Sequence, residues 1–498
     1  MAALVVLDAG TGGGKCVIFD EHGKVLGEHR EPWQYTVRVH PDLPVIKEFS
    51  FDPDEFWGIL CRCTRLALER AGSDGAEVAG VACTSQREGC VFLDAHGREI
   101  YAGPNLDARG FNEGLEILGR LGERLYQITG HSAPFIFPLA RYLWFRKHGA
   151  GEVARILMLN DWLTYRLSGE VCSEPSNATE SMMFDLRERR WSDEILDAFG
   201  IAADLLPPIL RCGEHVGGVS RQAAADTGLS AGTPVFVGGA DTQCSLLGAG
   251  AIAAEDTGAT LGTTTPVQTV VDGPLFDPEA TLWVGCHVVP DRWVLESNAG
   301  DTGDAYLWLL DLVSGGLPRE RLHEYAERLV REETTSPTML FIGPSVFNLA
   351  KMNFSRPGGM LFPFPAMHVR PDRGAIVRGF LENLAFALRG NLEQLAAVTG
   401  HMPRELAVSG GMSRSDAVVQ VIADVVGMPV RVTEEPESAA LGCAVLIAAN
   451  RGRCSLEKAG NMMVRHRQVL PHPERHERYG GTYRKWRELN DHLDEMTL

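Results

Sequence analysis

The amino-acid sequence predicts an α/β protein with two domains of similar size. Its 498 residues exceed the usual size of a single domain. Strand-like and helix-like segments alternate through the first half, and the same alternation begins again after Gly250. The glycine-rich stretch at 248–252 separates the two series. We therefore predict domains at 1–247 and 248–498, with ligands bound in the cleft between them.

Composition narrows the functional classes. A hydrophobic content of 45% with 22% charged residues is ordinary for a soluble globular protein. The net charge of −18 disfavours a nucleic-acid or anionic-membrane partner, and no apolar run approaches the roughly 18 residues of a membrane span. The eleven cysteines are scattered and include no CxxC pair, and no basic segment precedes the first apolar run. We expect reduced thiols and a cytoplasmic protein.

The first predicted element is a glycine-rich β-hairpin. Asp8-Ala-Gly-Thr-Gly-Gly-Gly-Lys15 lies between the apolar run 4–7 and the β-branched run 16–19. A P-loop needs glycine and serine or threonine where this chain has Ala9 and Cys16, and the dinucleotide motif needs glycine in place of Lys15. Both motifs also open a helix, whereas a strand-like run follows here. Glycine N–H groups and a lysine can contact phosphate, whereas Asp8 repels it unless a divalent cation lies between them. This indicates a metal–nucleotide site, and the alternative is a hairpin without a ligand.

The remaining elements continue the alternation of strands and helices. Strands are predicted at 78–84, 91–94, 99–101, 234–237 and 406–409. Helices are predicted at 54–70, 114–129, 139–147, 304–312, 318–331 and 382–399. A further amphipathic helix follows Ser415 and buries Val418, Val419, Ile422 and Val425.

Asp241 ends the motif Gly238-Gly-Ala-Asp241, directly after a buried strand. Open α/β sheets place reacting groups at the carboxyl ends of their strands. On a glycine turn, an aspartate can receive a hydroxyl proton without steric interference. A cap for the following helix is the alternative role.

Two small turns in the second half can bind parts of a nucleotide. Backbone N–H groups and hydroxyls in such turns contact phosphate or ribose, although either turn can also be purely structural. The candidate residues are Gly262, Thr263, Gly410, Gly411 and Ser413.

The segment Thr84-Ser-Gln-Arg-Glu-Gly89 places opposite charges side by side at a strand end. A guanidinium and a carboxylate together can hold vicinal hydroxyls, because one donates and the other accepts hydrogen bonds. Asp107, within 105–109, has the same potential. A surface ion pair is the alternative for each.

These motifs, in this order, resemble those of the FGGY carbohydrate kinases in the actin-like sugar kinase superfamily. One departure is Arg141, where a family signature usually has lysine. The similarity spans almost the whole chain. The matching motifs are Asp8-Ala-Gly-Thr11 with Lys15, Gly238-Gly-Ala-Asp241, Leu261-Gly-Thr263, Ser409-Gly-Gly-Met-Ser-Arg-Ser415 with Ile422-Ala-Asp-Val-Val-Gly-Met-Pro429, and Glu437-Ser-Ala-Ala-Leu-Gly-Cys-Ala444.

The resemblance implies two actin-like (ribonuclease H-like) domains, an active site between them and a role for each candidate residue. Asp241 would be the catalytic base, and Asp8 and Asp241 would hold Mg²⁺. The implied substrate residues are Gln86, Arg87, Glu88, Asp107 and Asp241. The implied ATP-binding residues are Asp8, Gly10, Thr11, Lys15, Gly262, Thr263, Gly303, Gly410, Gly411 and Ser413.

We therefore predict an ATP- and Mg²⁺-dependent kinase that phosphorylates a primary hydroxyl of a small polyol or ketose. Four- and five-carbon compounds should be preferred to hexoses. No nucleic-acid or membrane partner is expected, and a homodimer is a candidate assembly. Two other classes share the implied fold: a chaperone-like ATPase and a non-catalytic sugar sensor.

Overall fold

The computed structural model describes residues 3–40, 46–73, 75, 77–332, 338–348, 350, 356–362 and 371–496. In the first half, the strands are β1 (Ala3–Ala9), β2 (Gly13–Phe19), β3 (Val25–Pro32), β4 (Thr36–Val39), β5 (Lys47–Ser50), β6 (Val78–Ser85), β7 (Cys90–Leu93), β8 (Glu99–Gly103), β9 (Arg155–Met158), β10 (Phe184–Asp185), β11 (Arg190–Trp191), β12 (His215–Gly218) and β13 (Pro234–Ala240). The helices are α1 (Pro53–Ala71), α2 (Phe111–Leu121), α3 (Glu123–Thr129), α4 (Pro138–His148), α5 (Leu159–Ser168), α6 (Pro175–Thr179), α7 (Asp193–Phe199), α8 (Arg221–Thr227) and α9 (Asp241–Gly248).

The second half repeats the alternation of strands and helices. Its strands are β14 (Thr257–Thr260), β15 (Thr264–Val271), β16 (Trp283–Cys286), β17 (Trp293–Asp301), β18 (Met339–Phe341), β19 (Gly359–Leu361), β20 (Leu406–Ser409), β21 (Val430–Thr433) and β22 (His466–Val469). Its helices are α10 (Gly303–Ser314), α11 (Arg319–Glu332), α12 (Arg373–Thr399), α13 (Asp416–Val426), α14 (Ser438–Gly452), α15 (Leu456–Met463) and α16 (Pro473–Glu495).

Both halves contain a large mixed sheet, and the two sheets share one strand pattern. The first has the order β12-β13-β6-β1-β2-β3, and the second has β16-β17-β15-β14-β20-β21-β22. In each, an antiparallel meander (β1-β2-β3 or β14-β15-β17) is extended by two parallel strands beside its first member. Parallel strands need crossover helices, which explains the alternation in the sequence. The boundary at 247/248 stays a prediction.

Local sequence signals account for most element ends. Helix α1 begins at Pro53 after Asp52, whose carboxylate accepts hydrogen bonds from the N–H groups of Asp54 and Glu55 at 2.9 and 3.1 Å. It ends at Gly72, whose φ of 66° is left-handed. The predicted buried stripe of α13 is confirmed, because Val418, Val419, Ile422 and Val425 are each at most 1% exposed.

Two predicted helices have the wrong bounds. The single helix predicted at 114–129 is two helices, because Gly122 adopts φ 53° and ψ −133°, a conformation reserved largely for glycine. The helix predicted to begin at 382 begins at Arg373. There the Asp372 carboxylate accepts a hydrogen bond from the N–H of Ala375 at 2.8 Å.

Helix α14 comes from the second half but packs against the first sheet. Its residues join those of β1, β2 and β6 in one apolar cluster. It crosses α9 closely, and a methyl group at Gly442 would overlap the backbone of Cys244. This packing therefore joins the second half of the chain to the first sheet.

All eleven cysteines are free thiols, and nine of them are buried, as the scattered spacing predicted. Within the described ranges, no helix combines the length and the apolar character that crossing a membrane requires.

Candidate active site

The predicted glycine-rich hairpin is confirmed, with its glycines at the tip between β1 and β2. Asp8 and Lys15 are cross-strand partners, and Lys15 Nζ lies 3.0 Å from Asp8 Oδ2. Lys15 also donates a short hydrogen bond to Glu437, the residue before α14. Burial raises the pKa of Asp8, and Lys15 opposes that shift. Although burial also opposes its charge, Lys15 has a raised pKa because Asp8 and Glu437 both attract the ammonium.

Gln86 and Asn105 hold the hairpin tip in place. The N–H of Gln86 donates to the Ala9 carbonyl at 2.9 Å, and its side chain accepts a hydrogen bond from the N–H of Asn105 at 3.0 Å. The Asn105 amide in turn donates to Thr11 Oγ1 at 3.1 Å. These hydrogen bonds therefore hold Gly10 and Thr11 in place.

Asp241 is partly buried at the first position of α9. Its Oδ1 accepts a hydrogen bond from the N–H of Thr242 at 2.8 Å. Burial, followed by the negative charge of Asp8, raises the pKa of Asp241 to about 7, although Arg87 and Lys15 act in the opposite direction. Asp241 is thus electrostatically coupled to the hairpin.

Arg87 is buried, and its guanidinium is held by the second half of the chain. It donates to both oxygens of Glu296 in β17, at 2.7 and 2.9 Å. Gln268 donates to the same Glu296 carboxylate at 2.8 Å. The guanidinium also lies 3.5 Å from Glu180 Oε1. Its main partner is therefore Glu296, and the ion pair joins the two halves.

Glu88 is buried in a left-handed conformation, with φ 56°. Arg141 donates a short hydrogen bond to the Glu88 carbonyl and a second, of 2.8 Å, to the carbonyl of Pro104. Burial raises the pKa of Glu88 well above its ordinary range, and the carboxylates of Glu180 and Asp241 add to that shift against Arg87. The residue that departs from the family pattern, Arg141, thus supports the backbone of this loop.

Asp107 is fully buried, and its carboxylate already has three partners. It accepts hydrogen bonds from the Tyr101 hydroxyl at 2.6 Å, Arg109 Nε at 2.6 Å and the N–H of Phe49 at 2.9 Å. Through these hydrogen bonds Asp107 has a structural role in the loop that carries Asn105. Its predicted contact with substrate stays a prediction.

The residues of the second half that are predicted to bind nucleotide lie on adjoining turns. The Thr263 carbonyl accepts hydrogen bonds from the N–H groups of Thr302 and Gly303 at 2.9 and 3.0 Å, which joins Gly303 to the Gly262 turn. Gly410 has φ 92°, and a side chain there would meet the backbone of Leu261. Ser413 Oγ donates to the Gly410 carbonyl at 2.7 Å. The structure therefore brings these turns together.

Four charged or titratable residues of the site were not among the sequence candidates: His131, Glu180, Glu296 and Glu437. Glu296 had a usable signal, because it is a lone charge inside the strand-like run Trp293-Val-Leu-Glu. Glu437 opens a motif that had been identified, but its contact with Lys15 has no local signature. Nothing near His131 or Glu180 marks either one out.

Residues 3–248 match the N-terminal domain of the FGGY family of carbohydrate kinases, and residues 256–450 match the C-terminal domain of that family. The chain belongs to this family. It is a sugar kinase, a phosphotransferase with an alcohol group as acceptor, and this class implies ATP as a substrate.

Relatives of this FGGY kinase include proteins named autoinducer-2 kinase. The one from Enterobacter sp. (strain 638) is 33% identical over 514 residues, covering 100% of this chain and 95% of that protein. The one from Escherichia coli (strain K12) is 34% identical over 510 residues, covering 99% and 95%.

Solved structures confirm the predicted two-domain actin-like fold. Xylulose kinase from Rhodospirillum rubrum superposes with a TM-score of 0.84 at 23% identity, over 99% of both chains. Glycerol kinase from Plasmodium falciparum, solved with ADP, gives 0.82 at 18% identity, over 98% of both chains. At these identities the likeness concerns the fold alone.

Proposed function

We propose that this FGGY kinase transfers the γ-phosphoryl group of ATP to a primary hydroxyl of a small polyol or ketose, and that it is most like an autoinducer-2 kinase. The observation that supports this most is the position of Asp241, which is coupled to Asp8 of the phosphate hairpin and to the buried Arg87 and Glu88. A base between a phosphate site and a polar pocket is the arrangement that phosphoryl transfer to a hydroxyl needs.

Asp241 acts as the catalytic base in this proposal. It orients the attacking hydroxyl and accepts its proton as the new P–O bond forms. A base with a pKa near the working pH combines ionisation at neutral pH with useful proton affinity. The raised pKa of Asp241 therefore suits the task better than that of an ordinary aspartate.

Asp8 and Asp241 fit a Mg²⁺ site, because Mg²⁺ is commonly bound by one or two carboxylates together with substrate phosphates. When bound there with ATP, Mg²⁺ would neutralise charge on the β- and γ-phosphates. Lys15 then serves as a second cation beside Asp8, and the glycines of the hairpin leave room for phosphate oxygens.

The remaining nucleotide residues are proposed from their adjoining turns. Gly262, Thr263 and Gly303 would contact the terminal phosphates from the second half, and Gly410, Gly411 and Ser413 would contact the ribose side. Gly410 and Ser413 are already linked by a hydrogen bond, which fixes the turn before ATP arrives.

The acceptor we propose is the linear, hydrated autoinducer-2 precursor or another four- or five-carbon polyol or ketose. Full-length identity of 33–34% to autoinducer-2 kinases supports the first, and D-xylulose is the alternative. Purified protein should release ADP fastest with the precursor in a panel that also contains D-xylulose, glycerol and hexoses. Best turnover of D-xylulose by a wide margin would favour the alternative, and sugar-independent ATP consumption would contradict a kinase.

A further inference from the structure

Glu180 is a buried carboxylate whose hydrogen-bonding capacity is only partly used. It is 1% exposed, yet neither of its oxygens accepts a well-aligned hydrogen bond from the described part of the chain. His131 Nε2 lies 3.1 Å from Oε2, Arg87 Nη1 lies 3.5 Å from Oε1, and the Glu88 carboxyl lies within hydrogen-bonding reach. A buried carboxylate with poorly aligned donors is costly, so this position indicates that a bound molecule supplies a further donor.

An unpaired hydrogen-bond donor lies in the same group of buried side chains, next to His131 and Arg87. The indole Nε1 of Trp283 is buried and has no acceptor among the described residues. The Trp283 ring lies 4.9 Å from the His131 ring and 5.7 Å from the Arg87 guanidinium, measured between centres. A partly used acceptor and an unused donor thus share His131 and Arg87 as neighbours. A hydroxyl group can satisfy both, because it donates one hydrogen bond and accepts others.

The charged residues around Glu180 further restrict which ligand can bind there. Arg87 is already engaged by both oxygens of Glu296, so it has little capacity left for an anion. Glu88, Glu180 and Glu296 are all within electrostatic range of that single guanidinium. His131 Nδ1 donates to the Thr129 carbonyl at 2.9 Å, so its Nε2 donates to Glu180 only as an imidazolium. A carboxylate or phosphate on the ligand would meet repulsion here.

We propose that Glu180 and the indole N–H of Trp283 form a hydroxyl-binding subsite that selects a neutral polyol over sugar acids and sugar phosphates. The proposal rests on the proposed function, because it concerns the acceptor pocket beside Asp241. Glu180 thus contributes to substrate selectivity together with the charged pair Arg87 and Glu88.

The test uses Glu180→Gln, which is nearly isosteric but carries no charge. For the best neutral substrate, KM and the dissociation constant measured by calorimetry without ATP should rise at least about 10-fold, while KM for ATP stays within about 2-fold. D-gluconate, used as a competitive inhibitor, should gain affinity relative to the neutral substrate. Trp283→Phe should also raise KM for the neutral substrate, because it removes the donor.

Glu113→Gln is the matched control, since Glu113 is 3% exposed and ion-paired to Lys147 outside this pocket. It should leave both sugar constants unchanged. If Glu180→Gln fails to fold, Glu180→Asp retains the charge but shortens the reach, and should still raise KM. Folded Glu180 variants with wild-type sugar constants and an unchanged preference against D-gluconate would overturn the proposal, leaving water as the partner of Glu180.

A failure of the proposed kinase function can be distinguished from a failure of the proposed subsite. Wild-type protein that binds a neutral polyol with the predicted Glu180 dependence but never phosphorylates it would retain the subsite and refute the kinase proposal. Wild-type protein that neither binds nor phosphorylates any neutral polyol would refute both.

Discussion

At the scale of single residues, the site depends on a few side chains held in unfavourable environments. The negative charge of Asp8 acts on Asp241, and Glu88 is buried with left-handed backbone geometry. Each arrangement is destabilising by itself and persists because neighbouring contacts, such as those of Arg141, hold it. Perturbed groups of this kind concentrate at functional sites.

The raised pKa of Asp241 predicts the pH dependence of turnover. The base must be ionised, so kcat/KM for the sugar, measured at limiting ATP, should rise about tenfold per pH unit below pH 7 and level off above it. A pH profile over 5–9 checks this. A plateau that extends down to about pH 5 would show that Asp241 keeps an ordinary pKa or is not the base.

The same pKa predicts a pH-dependent effect on stability. Because the folded state binds the Asp241 proton more tightly than the unfolded state, ionised Asp241 destabilises the fold. This penalty is absent below about pH 4, grows between about pH 4 and 7, and is complete above. Asp241→Asn should therefore raise Tm at pH 8 and change it little at pH 4.

Asp94 provides a control of opposite sign for the Tm measurement. Hydrogen bonds, first of all from the N–H of Arg98, lower the pKa of its carboxyl to about 2. Its ionised form thus stabilises the fold above about pH 4, and this stabilisation is lost as the pH falls toward 2. Asp94→Asn should lower Tm at pH 8. A lower Tm for Asp241→Asn at pH 8 would contradict the assigned shift.

At the scale of elements, α9 and α14 pack closely against each other, and each has a functional residue at its start. Asp241 begins α9, and Glu437, the partner of Lys15, directly precedes α14. Glycines permit the close approach, because side chains at Gly248 and Gly442 would overlap the backbone of the opposite helix. Separating the helices would therefore displace both residues.

Gly442→Ala tests this crossing. We expect a loss of about 1–3 kcal/mol in the free energy of unfolding, the usual scale of overpacking, together with reduced kcat. Gly480→Ala in α16 is the control, since its methyl group would meet nothing within 4 Å. It should hold or raise stability, because alanine favours helix. Thermal unfolding and ADP release measure both effects, and equal behaviour of the two variants would contradict the role of the crossing.

The elements show which features a sequence can reveal. The glycine hairpin and the buried stripe of α13 were predictable, because their signals lie within a few consecutive residues. The partners of Arg87 and Lys15 were not, since Glu296 and Glu437 lie 209 and 422 residues away along the chain. Gly122 also gave no clear sign that it would divide a helix, whereas Gly119 is accommodated inside α2.

At the scale of the whole molecule, two sheets of like topology are joined through the site by the Arg87–Glu296 ion pair. Arg87→Met should therefore affect more than substrate preference, because it leaves Glu296 and Glu180 buried without their cation. Breaking a buried pair from one side costs about 3–5 kcal/mol, so Tm should fall along with kcat/KM. Calorimetry on the variant checks this, and an unchanged Tm would show that the pair contributes little to joining the halves.

The central claim is that both halves form one sugar-kinase site in which Asp241 is the base. ADP release by wild-type protein and Asp241→Asn, each with and without the neutral acceptor, tests it most directly. Wild-type release should be strongly stimulated by the acceptor. Asp241→Asn should still bind ATP yet lose about 100-fold or more of that stimulated rate. Stimulation by no acceptor, or near-wild-type turnover in a folded Asp241→Asn variant, would contradict the account.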